Sequence, residues 1–529
     1  MNLQLKSSLT VFILLIQLLK TSEASNILGV FLTHSPSNVI HHMAVVRALV
    51  ERGHNVTVIT SIPLKAVDSK PPRYRHIFLK QEELSQKDMD AIINEAKSTP
   101  AHLKIFKVYS LIRKIINQYS EFTSDPDFVN FMKEDNHFDL MILGYAFNDL
   151  PLGIAAHFKC PVVVSFPIQP FGHVSRLIGN PTHTSFVPFS PFMESNPMDI
   201  SGRIINVFLS TAERLLTMLL HFFSERLYEK NFPSDRYRSL SEMKENISLI
   251  LFNHHFSEGP VRPLVPGLVE IGGIQIKDKP DPLPKDIERF LEKSEKGAIL
   301  FSLGSNVREH HLGPNSTTII YKVLSSLPYN VIWKFDSDKE LPGNSTNILV
   351  SKWLPQDDIL AHRNLKLFIN HGGKGSITES EYHEVPMVSL PVYGDQPKNA
   401  AIMQNKGHGI VLDYRILSED SLRETVLEVM QNDKYRNAVQ KFSRVYRDRP
   451  LTARQNAVYW IEYVIRHQGA KHMQSPLKSM NFFEENSLDV FVILFCVVFL
   501  IVKFVNLFVK LSFRAAEKMA ELALKQKLE

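Results

Sequence analysis

The sequence predicts an α/β protein in which two open parallel sheets face each other across a cleft. The chain has 529 residues, which is more than one hydrophobic core usually supports, so we expect two domains. Short apolar strands alternate with helical segments in both halves of the chain, and a proline-rich stretch at 259–284 separates the halves. Hydrophobic residues make up 44% and charged residues 22%, which excludes a disordered chain.

The first half begins with a β-α-β unit. Residues 27–32 are apolar, 39–52 carry apolar residues at helical spacing before Gly53, and 56–59 are apolar again. A unit of this length implies parallel strands covered by helices. Residues 204–223 predict a strongly apolar helix that is either part of the core or placed on a membrane surface.

The same alternation continues through both halves. Further strands are predicted at 140–143, 162–164, 299–302, 331–334, 365–369 and 387–390. Helices of the second half are predicted at 317–324, 375–382 and 396–404, whereas the prolines of 167–197 indicate a loop. Since ligands of open α/β sheets bind at the carboxyl ends of the strands, the cleft is the expected site.

The two ends of the chain indicate a membrane protein. Residues 1–24 have a short apolar run followed by small residues, which is typical of a secretory signal peptide. Residues 490–509 are apolar over about 30 Å, enough to cross a bilayer, and the basic tail at 510–529 places that end in the cytosol. Lys525 and Lys527 resemble a dilysine retrieval signal, so we expect a single-pass type I protein of the endoplasmic reticulum membrane with its domains in the lumen.

These assignments divide the chain into seven segments. They are a signal peptide at 1–24, a first Rossmann-like, acceptor-binding domain at 25–258, a linker at 259–284, a second Rossmann-like domain at 285–450, a helix and juxtamembrane segment at 451–489, the transmembrane helix at 490–509 and a tail at 510–529. The sequons 246–248, 315–317 and 344–346 are expected glycan acceptors in the lumen.

Charge and cysteine content exclude several classes of partner. The net charge of +5 is small and dispersed, which argues against nucleic acid. Two cysteines, Cys160 and Cys496, form neither a disulfide framework nor a cysteine zinc site. Membrane lipid is an expected partner through the C-terminal helix, and homo-oligomerisation is left open.

The densest chemical motif runs from 368 to 379, with the sequence FINHGGKGSITE, and continues at 386–396. A predicted strand leads into His371, Gly372 and Gly373, and a helix follows at once. Glycines let backbone amides approach a diphosphate, and a helix N-terminus favours its negative charge. Glu379 lies about two turns further on, where an acidic residue can bind ribose hydroxyls.

This motif resembles the signature of the UDP-glycosyltransferases, the family that includes the animal glucuronosyltransferases. The segments 353–356 (WLPQ), 301–305 (FSLGS) and 457–462 (AVYWIE) match as well, as does the membrane anchor with its basic tail. The resemblance implies a GT-B fold, two Rossmann-like domains with a cleft between them. It also implies an inverting, metal-independent transfer from a UDP-sugar to a small lipophilic acceptor, as in detoxification, with the UDP-sugar as co-substrate and no other cofactor.

Carried over by position, the resemblance assigns the donor site. Trp353 and Gln356 are expected to hold uracil, Ser305, His371, Gly372 and Gly373 the diphosphate, Glu379 the ribose, and Asp395 and Gln396 the sugar hydroxyls. The sequence departs from the mammalian pattern at Gly375, where Asn is common, and at Asn370, where Thr is usual.

The catalytic dyad of the family is replaced. The position of the family's His base is occupied by Asn38, and that of its Asp falls on Gly144. An amide is not a base near neutral pH, so Asn38 is expected only to orient the acceptor. His41 and His42 lie one helical turn further on, and either is a candidate substitute, directly or through a water, with His42 preferred and Asp149 as a candidate orienting group. The competing interpretation is that both histidines are structural, packed inside the protein or facing solvent, and that Asp149 caps a helix.

Three functions compete at this point. The first is an active glycosyltransferase, the second a UDP-sugar-binding protein of the same fold with little transferase activity, and the third a UDP-sugar epimerase, which the anchor and the segment around Trp353 disfavour. Glucuronate-using relatives carry an Arg where Asn253 aligns here, so glucose is the expected sugar.

Overall fold

The computed structural model describes most of the chain. The described residues are 24–33, 35–63, 73–80, 120–145, 148–189, 198–305, 307, 309–313, 315–335 and 341–528. The predicted signal peptide therefore lies, except for Ala24, outside the described residues.

The first sheet has seven described strands, all pairing in parallel. They are β1 (Asn26–Phe31), β2 (Asn55–Thr60), β3 (Tyr74–Phe78), β4 (Leu140–Gly144), β5 (Val162–Phe166), β6 (Ile247–Phe252) and β7 (Leu268–Glu270). Their order is β3-β2-β1-β4-β5-β6-β7, so the direction of winding reverses between β1 and β4. The central strands are buried on both faces, as parallel sheets require.

The second sheet has six described strands, again all parallel. They are β8 (Ala298–Ser302), β9 (Asn330–Lys334), β10 (Ile348–Ser351), β11 (Leu365–Asn370), β12 (Met387–Ser389) and β13 (Gly409–Val411). The order β10-β9-β8-β11-β12-β13 reverses between β8 and β11. These reversals mark where a ligand crevice opens in each sheet.

Helices cover both sheets. Those of the first half are α1 (Pro36–Arg52), α2 (Pro126–Lys133), α3 (Leu152–Phe158), α4 (Gly172–Arg176), α5 (Ile200–Asn231) and α6 (Leu240–Glu245). Those that follow are α7 (Lys285–Glu292), α8 (Ser316–Ser326), α9 (Gln356–Leu360), α10 (Lys374–Tyr382), α11 (Gln396–Asn405), α12 (Glu419–Gln431), α13 (Asp433–Arg447), α14 (Ala453–Arg466), α15 (Phe482–Glu485) and α16 (Leu488–Leu528).

Helix α1 shows how the local sequence sets an element. Pro36 lies in its first turn, where the missing amide hydrogen costs nothing. Gly53 follows its last residue with φ at 108°, a conformation that favours glycine, and its amide bonds back to carbonyls of the last turn. The helix thus starts at the carboxyl end of β1, and its first turn faces the cleft.

The last helix of the first compact unit returns to the first sheet. That unit spans residues 1–474. The apolar side of α14 packs in the same core as β1 and α1. Glu462 on α14 accepts hydrogen bonds from Arg52 at 3.0 Å and is 3.2 Å from the imidazole of His54. The chain therefore crosses from the second sheet back to the first before it leaves the unit.

The second compact unit spans 475–529 and consists mainly of α16. This helix has 41 residues, and its large apolar side chains are exposed over the whole predicted span 490–509. Among the described residues, two helices are long and apolar enough to cross a membrane, α16 and α5. The apolar helix predicted at 204–223 is thus longer than expected, and it is mostly uncovered rather than part of the core.

The predicted strands and helices of both halves are present, with ends shifted by a few residues. Five strands were not anticipated, namely β3, β6, β7, β10 and β13. Strand β7 lies inside the stretch 259–284 that was expected to be a linker, and it extends the first sheet at its edge.

Candidate functional site

The reversal points of the two sheets open on one cavity of about 510 Å³. Its walls come from the loop and first turns after β1, the residues that follow β5, β6 and β7, the end of β9, and the loops after β8, β10, β11 and β12. A volume of this size suits a small ligand of nucleotide dimensions. Of the predicted donor residues, Ser305, Trp353, Gln356, His371, Gly373, Glu379, Asp395 and Gln396 line it, and Gly372 does not.

Two glycines enclose the imidazole of His371. A Cβ atom added at Gly304 would lie 2.5 Å from its Cε1, and one at Gly373 would be 2.4 Å from its Nε2. Any side chain at either position would displace the ring, so these glycines hold His371 at the mouth of the loops after β8 and β11. Gly373 is also the N-cap residue of α10, whose free amides favour an anion at this point.

His371 is uncharged at neutral pH. Burial and the nearby Lys334 ammonium lower its pKa to about 4. Its Nδ1 is buried and has no hydrogen-bond partner among the described residues. Lys334 itself donates to the carbonyl of Gly304 at 2.7 Å and lies 5.2 Å from the ring centroid of Trp353. A neutral imidazole and a lysine therefore share the region where a diphosphate would sit, and sequence reasoning missed the lysine.

Gln356 and Glu379, assigned to uracil and ribose, bond to each other. The side-chain amide of Gln356 donates to Glu379 at 2.7 Å and to the Ser376 hydroxyl at 3.2 Å. Burial, together with the negative charge of Asp357, raises the pKa of Glu379 to about 8. A ribose in this position would exchange the Gln356 bond for bonds to its hydroxyls.

Asp395 and Gln396 form the opposite corner of the cavity. Burial raises the pKa of Asp395, although the amide of Asn399 donates to its carboxylate at 2.6 Å. The side-chain oxygen of Gln396 accepts from the backbone amides of Val392 and Tyr393 at 2.9 and 3.1 Å. The oxygen is thus engaged with the loop after β12, and only the NH₂ group of Gln396 is left for a sugar hydroxyl.

An ion pair joins the first half of the chain to the start of α10. Lys374, the first residue of that helix, lies 2.6 Å from Glu258. Burial alone would raise the pKa of Glu258, but the Lys374 ammonium opposes it and the pKa falls to about 2. Thr378 also donates to this carboxylate at 3.1 Å. Neither Lys374 nor Glu258 was singled out from the sequence, although Lys374 stands inside the glycine-rich motif.

Asn38 and His41 reach the cavity from the first turns of α1. Asn38 is half-buried, while His41 is only 3% exposed. Neither ring nitrogen of His41 has a hydrogen-bond partner within the described part of the chain. Burial lowers its pKa to about 3, so its imidazole is neutral at pH 7 and is a weak base.

His42, unlike His41, is not among the residues that line the cavity. Its Nδ1 is 2.8 Å from the Ser165 hydroxyl, and its ring stacks on Phe31 with centroids 5.0 Å apart. Helical geometry explains the difference, because His41 and His42 point about 100° apart around α1. A Cβ added at Gly144 would lie 2.9 Å from both the His42 ring and Phe31, so the position expected for the dyad's Asp has no room for a carboxylate.

Asp149 is also unsuited to orient a base. Its carboxylate lies 2.7 Å from the Lys244 ammonium and accepts from the Tyr145 hydroxyl at 3.0 Å. Lys244 and Tyr145 help to lower its pKa against the opposing effect of burial. It belongs to a buried network beside α6 rather than to the cavity wall.

The two parallel sheets share a nucleotide-sized cavity at the points where their strand order reverses. A helix N-terminus lies beside an imidazole in this cavity. These features define a nucleotide-binding α/β protein. The family model described as UDP-glucoronosyl and UDP-glucosyl transferase matches residues 30–521. The chain belongs to this family, and it is a glycosyltransferase.

Relatives from animals support the assignment over most of their length. UDP-glucosyltransferase 2 of Dactylopius coccus is 33% identical over 90% of this chain and 91% of its own. UDP-glucuronosyltransferase 2B1 of Rattus norvegicus is 31% identical over 87% of this chain and 89% of its own.

Solved structures support the GT-B fold. A UDP-glucosyltransferase from Polygonum tinctorium superposes with a TM-score of 0.54 at 14% identity, covering 84% of this chain and 99% of that one. The glycosyltransferase VinC, in complex with dTDP, gives 0.54 at 15% identity, covering 84% and 100%. The expected GT-B fold is confirmed, and the C-terminal helix agrees with a membrane-anchored protein.

Proposed function

We propose that this protein transfers a hexose, with glucose favoured over glucuronate, from a UDP-sugar to small lipophilic acceptors. The transfer inverts the configuration at the anomeric carbon and uses no metal. The observation that carries the proposal is the shared cavity, in which the donor-site residues of the second sheet and the polar first turns of α1 face the same space. Ile40, Pro167 and Ile168 give the first-sheet side an apolar wall that suits a lipophilic acceptor.

The preference for glucose rests on the environment of Asn253. This residue is buried at the cavity wall, and its side-chain oxygen accepts from the Gly273 amide at 3.1 Å. The lysines 277 and 374 on the same wall are ion-paired with Asp358 and Glu258. Arg47 and Lys334 also line the cavity, so the preference rests on the position of Asn253 alone. Without an Arg at that position, a sugar carboxylate would lose one charge-assisted bond of about 1.5–3 kcal/mol, equivalent to roughly one to two decades in affinity.

We infer that His41, and not His42, accepts the acceptor's proton. In this step the acceptor oxygen attacks the anomeric carbon, its proton passes to the neutral imidazole, and the bond to the UDP oxygen breaks. Asn38, about one turn before His41, orients the acceptor hydroxyl. The α10 N-terminus, His371 and Lys334 stabilise the charge that develops on the departing diphosphate.

The alternative of a sugar-nucleotide-binding protein draws support from one observation. Because His41 is a weak base and position 144 carries no carboxylate, the chain lacks the family's ordinary means of activating an alcohol. The donor site nevertheless contains Asp395 and Gln396, whose side chains suit the binding of sugar hydroxyls. Such binding has no evident purpose without transfer.

Turnover by the purified full-length protein tests the proposal. Labelled UDP-glucose and UDP-glucuronate compete in the presence of phenols, steroids, thiols and amines, and we expect glucose transfer to dominate. Asn253→Arg should raise transfer of glucuronate relative to glucose, whereas Asn253→Ala, which also loses the bond to Gly273, should not. Equal use of the two donors by the wild type would refute the sugar preference. Binding of UDP-sugar without turnover of any acceptor would establish the binding-protein alternative.

We also propose that the anchor is a single type I span in the endoplasmic reticulum membrane, with the first unit in the lumen. The exposed apolar residues of α16 and its basic end support this orientation. Protease added to intact microsomes should remove only the short tail, and digestion of the bulk of the protein without detergent would refute the topology.

A further inference from the structure

Helix α5 carries an uncovered apolar stripe along one side. Eight of its large apolar side chains are each at least half exposed, from 50% at Phe222 to 66% at Ile200. Ile200 and Ile205 are two of them, and the stripe consists of the other six, Ile204, Phe208, Leu215, Met218, Leu219 and Phe222. At 3.6 residues per turn they fall within about 100° of the helix circumference, in a stripe about 27 Å long.

The opposite side of α5 is fixed to the protein, so the stripe cannot turn inward. Asn206 is fully buried, its amide donates to the carbonyls of Thr184 and Val187 at 2.7 and 2.8 Å, and its oxygen accepts from the Phe189 amide. Further along, Glu213 accepts from the backbone amide of His173 at 2.7 Å. The segment 184–189 and the start of α4 therefore hold this face, and rotation of the helix would break their bonds.

The polar groups around the stripe are placed as at a lipid interface. Thr211 is the only polar side chain on the arc between 204 and 222. Arg203 precedes the stripe, and Arg226 stacks its guanidinium 4.1 Å from the Phe222 ring centroid at the other end. Long basic side chains that cover apolar surface and extend to polar headgroups have this arrangement.

We propose that this stripe lies in the interfacial layer of the bilayer to which the chain is anchored. The occupant is lipid rather than a second copy, because the same chain carries α16, whose apolar length suffices to cross a membrane. A tethered domain meets the membrane at high effective concentration, so a modest apolar surface is enough to keep it there. The inference is independent of the transferase proposal, since no residue of α5 lines the cavity.

Lipid-depth quenching in proteoliposomes tests the inference on the full-length protein. In a Cys496→Ser background, Leu215→Cys carries an environment-sensitive fluorophore. The matched control is Ile416→Cys, because Ile416 is 78% exposed and lies outside α5. Retained UDP binding shows that both labelled proteins are folded.

We expect the Leu215 label to shift its emission to the blue and to lose most of its fluorescence with spin-labelled acyl chains, while the Ile416 label does neither. Equal quenching at both positions would overturn the proposal. Energy transfer between differently labelled Leu215→Cys copies, without quenching by lipid, would also overturn it and would identify the stripe as an interface between copies.

Discussion

Replacement of His41 by Leu separates a catalytic role from a structural one. Both ring nitrogens are buried without partners among the described residues, and such unpaired groups each cost about 1–3 kcal/mol. Leu has nearly the same size and no polar atoms, so the variant should be no less stable than the wild type. Thermal unfolding of the detergent-solubilised protein measures this.

The same substitution should lower transfer to alcohols. A positioned general base contributes about 10²–10⁴ in rate, and we expect the lower end, about 10² or roughly 3 kcal/mol, because burial makes His41 a weak base. Thiols and acidic phenols, which need less help to lose a proton, should lose less. The readout is kcat/KM for a paired alcohol and thiol at saturating UDP-sugar.

His42→Leu is the matched control one residue away. It removes the 2.8 Å bond to Ser165 and leaves that hydroxyl buried, so stability should fall by about 1–3 kcal/mol while the alcohol-to-thiol ratio stays unchanged. The wild-type pH profile adds a second check. Since the pKa of His41 lies at about 3 rather than at 6.5, kcat/KM should show no acid limb near 6.5. A selective loss of alcohol transfer in His42→Leu, with none in His41→Leu, would refute the assignment.

Three further predictions follow from the site and the surface. Folding raises the pKa of Glu379 from 4.5 to about 8, so the folded protein binds one more proton than the unfolded chain between these pH values. Its stability should therefore fall as the pH rises through that window. Glu379→Gln should remove this part of the slope of Tm against pH, and an unchanged slope would contradict the prediction. Gly144→Asp should destabilise the protein by more than the roughly 1–3 kcal/mol typical of overpacking. Gly375→Asn should fold normally, because the nearest neighbour lies 3.7 Å from the added Cβ. This variant should also bind UDP more tightly, which isothermal titration would measure. If the first unit is lumenal, as proposed, Asn344 should carry a glycan because it is exposed, but Asn246 should not, because its amide donates to the Cys160 carbonyl at 3.0 Å. Mobility after deglycosylation of Asn→Gln variants tests both, and absence of any glycan would count against the proposed topology.

Four of the five strands that sequence analysis missed are either very short or partly exposed. Strands β7, β12 and β13 have only three residues each, too few for a pattern, and β12 was found because it follows the glycine-rich motif. The edge strands β3 and β10 are partly exposed, so they lack the continuous apolar run of a buried parallel strand. Strand β6 did have that run and could have been identified.

The sequence by itself determined the fold and the family, because these depend on local order. The motif at 368–379 places a strand, a glycine turn and a helix N-terminus in sequence, and such a unit makes an anion site wherever it occurs. The bilayer span is likewise a property of composition and length.

Only the tertiary structure decided which histidine faces the cavity, because that depends on which flank of α1 the first sheet covers. His42 contacts Phe31 on β1 and Ser165 on β5, and His41 lines the cavity. The same holds for Lys334 and Glu258, which are far from the glycine-rich motif in sequence and reach it by long-range packing. The uncovered side of α5 was settled in the same way, since the bonds of Asn206 to residues about 20 positions earlier determine which face remains outside.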